Sequence, residues 1–257
     1  MVSLTTLRAI KLTPTLVARF ATLPLRKVKN PCLYCPGICL TACPTFTYSG
    51  SLALSPLGYA RDRKLGVERC VKCWRCVDEC PLHFPLLETY CDTPVKLSAQ
   101  ILKEGKPLLV ASGRLESELG AKLAERYGLG LAVVSGVEER YDLGKPLEPK
   151  SLSETLKKLR PHEPLALSPE VAHALGIPFV LERPELFGQV SFTGKVHLPC
   201  LLRSRREGLL KSLERLGVNA TLLDAETCVK VSVDSETLYL CPRASPQKAK
   251  TIFELLL

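Results

Sequence analysis

From about residue 95 onward, apolar positions come in short runs set between stretches of helical spacing. Leu108 to Ala111, Leu131 to Ser135, Leu165 to Leu167, Phe179 to Leu181 and Val196 to Leu198 each have the length of a buried strand. Between the first two, Leu115, Leu119, Leu123 and Tyr127 recur every four residues, as on one face of a helix. Ser151 with Glu154 reads as a capping box, and Ser168 before Pro169 and Glu170 as another helix start. Strands alternating with helices predict an α/β layer structure in two related halves, roughly 96–190 and 191–257, each beginning with a strand.

The upstream texture is different. Residues 32–94 are broken by Pro36, Pro44, Pro56, Pro81, Pro85 and Pro94, and carry most of the cysteines. Residues 1–31 carry Arg8, Lys11, Arg19, Arg26, Lys27 and Lys29, and no acidic side chain occurs before Asp62. Thr13 before Pro14 is a helix-start signal, and Leu16, Val17, Phe20 and Leu23 would line one side of that helix, opposite the cations. The expected organisation is therefore α+β: a basic N-terminal arm over 1–31, a helical cysteine-rich module over 32–94, and an α/β domain over 95–257. The arm could dock on a partner or a membrane surface, or pack across its own domain.

Composition narrows the classes. With 257 residues, 46% of them apolar, the chain can bury a real core, which excludes wholesale disorder. Uncharged apolar stretches such as Tyr127 to Val137 fall short of the roughly 18 to 20 residues of a membrane-spanning helix. A net charge of +9 favours acidic partners, anionic surfaces or nucleic acid without choosing among them. No secretory apolar region precedes the cysteines, so the expectation is a reducing, cytoplasmic setting, peripheral to the membrane at most. A single Met and few Asn and Gln fit a heat-adapted source.

Of twelve cysteines, eight lie between Cys32 and Cys80. The second group reads Cys70-Val-Lys-Cys73-Trp-Arg-Cys76-Val-Asp-Glu-Cys80-Pro81, the C-x2-C-x2-C-x3-C-P spacing of a two-cluster ferredoxin. Three thiolates so spaced wrap one iron-sulfur cube, and the fourth turns away to ligate a neighbouring one. Cys32, Cys35, Cys39 and Cys43-Pro44 form the matching upstream group, with one extra residue that Pro36-Gly37 can absorb in a turn. Cross-ligation then predicts two [4Fe-4S] clusters, one on Cys32, Cys35, Cys39 and Cys80, the other on Cys70, Cys73, Cys76 and Cys43. The competing chemistry is zinc in an all-cysteine tetrahedral site, which usually takes its thiols as separated pairs rather than fours.

With Cys43-Pro44-Thr45 closing the first motif and Ser55-Pro56-Leu57-Gly58 preceding the second, the chain resembles the iron-sulfur subunits of glycolate oxidase, lactate-utilisation enzymes and anaerobic glycerol-3-phosphate dehydrogenase, with the related heterodisulfide reductase subunits. The resemblance implies a helical ferredoxin module followed by two α/β halves, each with a Cys-Cys-Gly signature. The signature is degenerate here. Val196-His197-Leu198-Pro199-Cys200 matches the strand end, Cys228 stands where the doublet should be, and Cys241-Pro242 stands at the distal position; the first half has no cysteine. Cys200, Cys228 and Cys241 could hold a third iron-sulfur cluster, with His197 or an outside group as fourth ligand, form a redox disulfide, or be buried thiols. Cys91 falls outside both motifs and reads as structural.

The expected function is that of an electron-transfer subunit in a hetero-oligomeric oxidoreductase, relaying single electrons between a flavin- or thiol-bearing partner and a membrane or soluble carrier. The partner is expected to be a flavoprotein dehydrogenase or a membrane-associated quinone-reactive subunit. No nucleophile-and-base constellation is visible, so no catalytic residue is assigned. The alternatives are a thiol/disulfide reductase subunit using Cys200, Cys228 and Cys241, and a zinc-stabilised nucleic-acid-binding module. Trp74 could shield a cluster and His83 could hydrogen-bond its sulfur, or both could simply be packed or exposed. Arg61, Arg63 and Lys64 could steer an acidic donor. Gly128-Leu129-Gly130 lacks the third glycine of a dinucleotide fingerprint and is assigned no nucleotide.

Overall fold

The computed structural model describes Pro14, Ala18 and residues 30–62, 70–88, 93–223 and 233–257. The arm over 1–31, apart from Pro14, Ala18, Asn30 and Pro31, lies outside the described residues, as do Arg63, Lys64, Cys91 and Cys228. The chain divides into two compact units, one formed by Met1–Cys70 with Arg75–Leu86, the other by Val71–Trp74 with Leu87–Leu257. The architecture is α+β.

The first unit's described residues form short helical turns, half of them opened by a proline. Two 3-10 turns, Pro31–Tyr34 and Ile38–Ala42, lead into α1 (Pro44–Ser49); a further turn, Leu52–Leu54, leads into α2 (Pro56–Arg61), and α3 is Arg75–Asp78. Proline suits a first helical position because its missing N–H has no intrahelical partner there. Asn30 joins two of these pieces: its Oδ1 accepts the Cys32 N–H at 3.1 Å and its Nδ2 donates to the Ala60 carbonyl at 3.0 Å. Ser55 caps α2 by accepting the Gly58 N–H at 3.2 Å, and donates to the Leu52 carbonyl at 2.6 Å. Among the described residues of this unit, the buried apolar side chains are chiefly Ala42, Tyr59, Ala60 and Leu86.

The second unit carries two sheets. In the first, strands β1 (Ser98–Lys103), β2 (Leu108–Ala111), β3 (Gly130–Ser135) and β4 (Pro164–Ala166) are ordered β1-β3-β2-β4, with β1 antiparallel and the rest parallel. Its connections are α4 (Gly113–Arg126), α5 (Val137–Leu143) and α6 (Pro149–Leu159), and α7 (Pro169–Leu175) follows β4. In the second sheet, β5 (Phe192–His197) lies between β6 (Val218–Leu223) and β7 (Thr237–Tyr239), all parallel, with α8 (Arg206–Arg215) crossing from β5 to β6 and α9 (Ile252–Leu256) at the end. Leu108, Leu109, Val110 and Ala111 are all fully buried, as a parallel strand covered on both faces requires.

Three sequence expectations are corrected here. Phe179 to Leu181 is not a strand: Phe179 makes one bridge to Ala166 and Val180–Glu182 turns into a 3-10 helix. Ser151 is not a cap, because Pro149 starts α6 earlier; its hydroxyl instead accepts the Leu97 N–H at 3.0 Å and donates to the Glu148 carbonyl. The buried face of α4 is Glu116, Gly120, Leu123 and Ala124, whereas Leu115 is exposed. The Ser168 start holds, with its hydroxyl accepting the Val171 N–H at 3.3 Å. On the outer side of β1, Lys158 of α6 donates to the Ala99 carbonyl at 2.7 Å.

Candidate metal centre

The first cysteine group winds through the two opening turns of the first unit. Cys32 lies inside the first turn and Cys35 ends it; Cys39 lies inside the second and Cys43 ends that one while opening α1. Gly37, between the turns, has φ of 85°, and a Cβ there would stand 2.7 Å from Leu40 and 2.9 Å from Leu57. Only glycine combines that left-handed backbone with so close an approach, so Pro36-Gly37 takes up the extra residue of the motif. The Gly37 N–H points at Cys35 Sγ across 3.4 Å, the kind of donor a thiolate or cluster sulfur uses.

Cys80 comes to this group from the far end of the second motif. The Cys39 thiol is pushed up to about 12 by burial and then by the charges of Cys35, Cys32 and Cys80; the Cys32 thiol is pushed up to about 12 by burial and then by Cys35 and Cys80. The four thiols thus share one neighbourhood, in which their thiolates repel unless a cation is present to balance them. Cys32, Cys35, Cys39, Cys43 and Cys80 are not disulfide-bonded. Among the described residues, no set of three or more Cys, His, Asp or Glu side chains forms a site for a single metal ion.

Cys43, Cys70, Cys73 and Cys76 are each half-buried. Cys70 and Cys76 fall in the first unit with Cys43, and Cys73 in the second, so neither unit taken alone brings these four together. Lys72 and Trp74, on either side of Cys73, hold left-handed backbone at φ of 51° and 64°. Non-glycine residues bear such conformations at about 1–3 kcal/mol each, and they concentrate at functional sites. Thr45 Oγ1, which follows Cys43-Pro44, and Trp74 Nε1, which follows Cys73, are buried and have no hydrogen-bond partner among the described residues. Both fit the sulfur-rich surface of an iron-sulfur cluster, which accepts such bonds. His83 is exposed.

The C-terminal cysteines follow the carboxyl ends of adjacent parallel strands. His197 and Tyr239 are register partners closing β5 and β7, their rings 5.0 Å apart, and Cys200 and Cys241 lie just beyond them. Ligands of α/β sheets collect at this edge. Cys241 is buried among Tyr239, Ala244 and Ala249 with Val71 and Val233 packed alongside, and Cys200 is half-buried at the head of the 3-10 turn Cys200–Arg205.

The corresponding edge of the first sheet holds a polar group that sequence reasoning missed. Glu116 of α4 accepts the Ser112 N–H at 2.8 Å, and its carboxyl is raised to about 8 by burial and by the nearby Glu170. Arg243 bridges Glu170 at 3.2 Å and Asp142 at 2.9 Å. Nothing in the sequence flags Glu116 or Glu170, since charged residues in first helical turns are commonplace.

Comparison with protein-family models, curated proteins and solved structures finds no match for this chain.

Proposed function

We propose that the chain is an electron-transfer protein carrying two [4Fe-4S] clusters, one on Cys32, Cys35, Cys39 and Cys80, the other on Cys43, Cys70, Cys73 and Cys76. The observation that carries this reading is the meeting of Cys80 with Cys32, Cys35 and Cys39, because the C-x2-C-x2-C-x3-C-P arrangement sends its last thiolate to the other cluster. The orphaned donors Thr45 Oγ1 and Trp74 Nε1 support it. When bound, the clusters supply one-electron exchange; the chain's residues hold them, exclude water with side chains such as Trp74, and donate hydrogen bonds to sulfur.

The resemblance to the glycolate oxidase and heterodisulfide reductase iron-sulfur subunits extends the proposal to a hetero-oligomer, with a flavoprotein dehydrogenase or a membrane-associated quinone-reactive subunit as partner. Among the described residues no helix is long and apolar enough to cross a membrane. A cytoplasmic setting, peripheral on the membrane at most, fits the thiols this reading needs.

The test is anaerobic purification followed by visible spectroscopy with iron and acid-labile sulfide analysis. Brown protein with iron and sulfide for two cubes is expected, and Cys80→Ser should lose one of them. Colourless protein that retains zinc and binds nucleic acid with steep salt dependence overturns the proposal. Convergence of Cys200, Cys241 and His197 on one sheet edge favours a second reading for that half, a third cluster or a thiol site completed by Cys228. Iron for three cubes, reduced to two in Cys200→Ser, would establish the cluster form.

A further inference from the structure

In the second unit, Arg140 of α5 sits over the indole of Trp74, its guanidinium carbon 4.0 Å from the ring centroid. The Tyr141 ring meets the indole edge-on, with centroids 6.1 Å apart. Arg140 is itself held, donating to Glu88 Oε1 at 2.9 Å and to the Lys145 carbonyl at 3.4 Å. Trp74 is 2% exposed, and its ring is therefore fixed on two sides by one short helix. Two donors in this stack, Trp74 Nε1 and Arg140 Nε, are buried with no acceptor among the described residues. A pair of orphaned buried N–H groups next to a motif cysteine is costly unless an acceptor arrives, and the residue before Trp74 is Cys73.

We infer that Arg140 is a positioning residue for the Cys73-bound cluster, holding Trp74 so that the indole Nε1–H donates to a cluster sulfur and raises the reduction potential of that cluster. The inference rests on the two-cluster reading above. Its chemistry is electrostatic: a hydrogen bond to sulfur stabilises the more negative, reduced form of a cluster, and potentials follow such bonds. Glu88 neutralises much of the Arg140 charge, so the effect is transmitted by ring orientation rather than by a bare cation. Lysine, a compact ammonium with no planar face, does not reproduce this stacking.

The test uses the intact chain, purified anaerobically with its iron, and three variants: Trp74→Phe, Arg140→Gln and Arg140→Lys. Potentials of the two clusters are read by redox titration with paramagnetic resonance detection. Trp74 is the sole tryptophan, so its fluorescence in the metal-free protein reports the stack directly. Trp74→Phe keeps a ring but removes the donor. It is expected to lower one cluster's reduced-to-oxidised ratio about tenfold at fixed potential, a shift of about 59 mV for a one-electron couple, and to leave the other cluster unchanged. Arg140→Gln and Arg140→Lys should both move the same cluster in the same direction and alter Trp74 emission. Unchanged potentials in Trp74→Phe, a wild-type potential in Arg140→Lys, or equal shifts of both clusters overturn the inference while leaving the two-cluster reading intact. Protein without iron overturns the two-cluster reading and this inference with it.

Discussion

The Tyr141 hydroxyl and Nδ1 of His173 share a hydrogen bond of 2.6 Å, joining α5 to α7. For Nδ1 to accept, the imidazole must be neutral with its proton on Nε2, and burial together with the charges of Arg140 and Arg205 lowers His173 to about 4.

The pH consequence has a definite sign. Because the folded-state value lies below the ordinary 6.5, the unfolded chain binds this proton first as pH falls. The stabilising contribution is complete above pH 6.5 and is lost as pH falls through about 4, roughly 3 kcal/mol in all. His173→Gln keeps an acceptor for Tyr141 but cannot titrate. Chemical denaturation at pH 7 and pH 4.5 should show the variant losing clearly less stability between the two than the parent; parallel losses would exclude His173 as the titrating group.

Glu116 behaves in the opposite sense. Burial and the Glu170 carboxylate raise it from 4.5 to about 8, so its contribution is complete below pH 4.5 and is lost as pH rises through 8. Full ionisation costs on the order of 5 kcal/mol. Glu116→Gln, which retains an oxygen for the Ser112 N–H, should raise the melting temperature at pH 8.5 relative to the parent and change it little at pH 5. Infrared spectra should also lose the stretch of one protonated carboxyl at neutral pH.

Arg243 spans Glu170 and Asp142 from the segment that follows Cys241. Arg243→Met keeps most of the side-chain volume but leaves Glu170 buried and uncompensated beside Glu116. A loss of about 3–5 kcal/mol is expected in denaturant titrations at neutral pH.

Gly58 offers a reversal of the usual helix scale. Alanine is favoured over glycine by about 1 kcal/mol inside a helix. At Gly58, however, an added Cβ would stand 2.3 Å from the Ala53 carbonyl oxygen and 2.5 Å from that of Leu52, backbone atoms that cannot swing aside. Gly58→Ala should therefore destabilise the first unit, seen as a lower midpoint in its denaturation; a higher midpoint would contradict the packing.

What could be read ahead from the chain follows from how local each signal is. β2, β3 and β4 stand out because strands buried on both faces give unbroken apolar runs, as Leu108 to Ala111 do. β1 escapes notice because it is a half-exposed edge strand whose register is interrupted between Ile101 and Lys103. The four-residue leucine spacing misassigns the buried face of α4, which is rotated so that Gly120 can meet the sheet; a Cβ there would stand 2.9 Å from Leu131. The grouping of Cys32, Cys35, Cys39 and Cys43 is legible because it is written in local spacing, whereas the approach of Cys80 to them is a tertiary relationship. Arg140 over Trp74, and Arg243 between Glu170 and Asp142, join distant parts of the chain and leave no periodic trace.

The way α6 lies along β1 limits how this molecule can assemble. Ser151 takes the Leu97 N–H and Lys158 takes the Ala99 carbonyl, so outward main-chain groups that a foreign strand would seek are already engaged. Those two main-chain groups are closed to a foreign strand, so a partner meeting that flank has fewer donors and acceptors with which to extend the sheet.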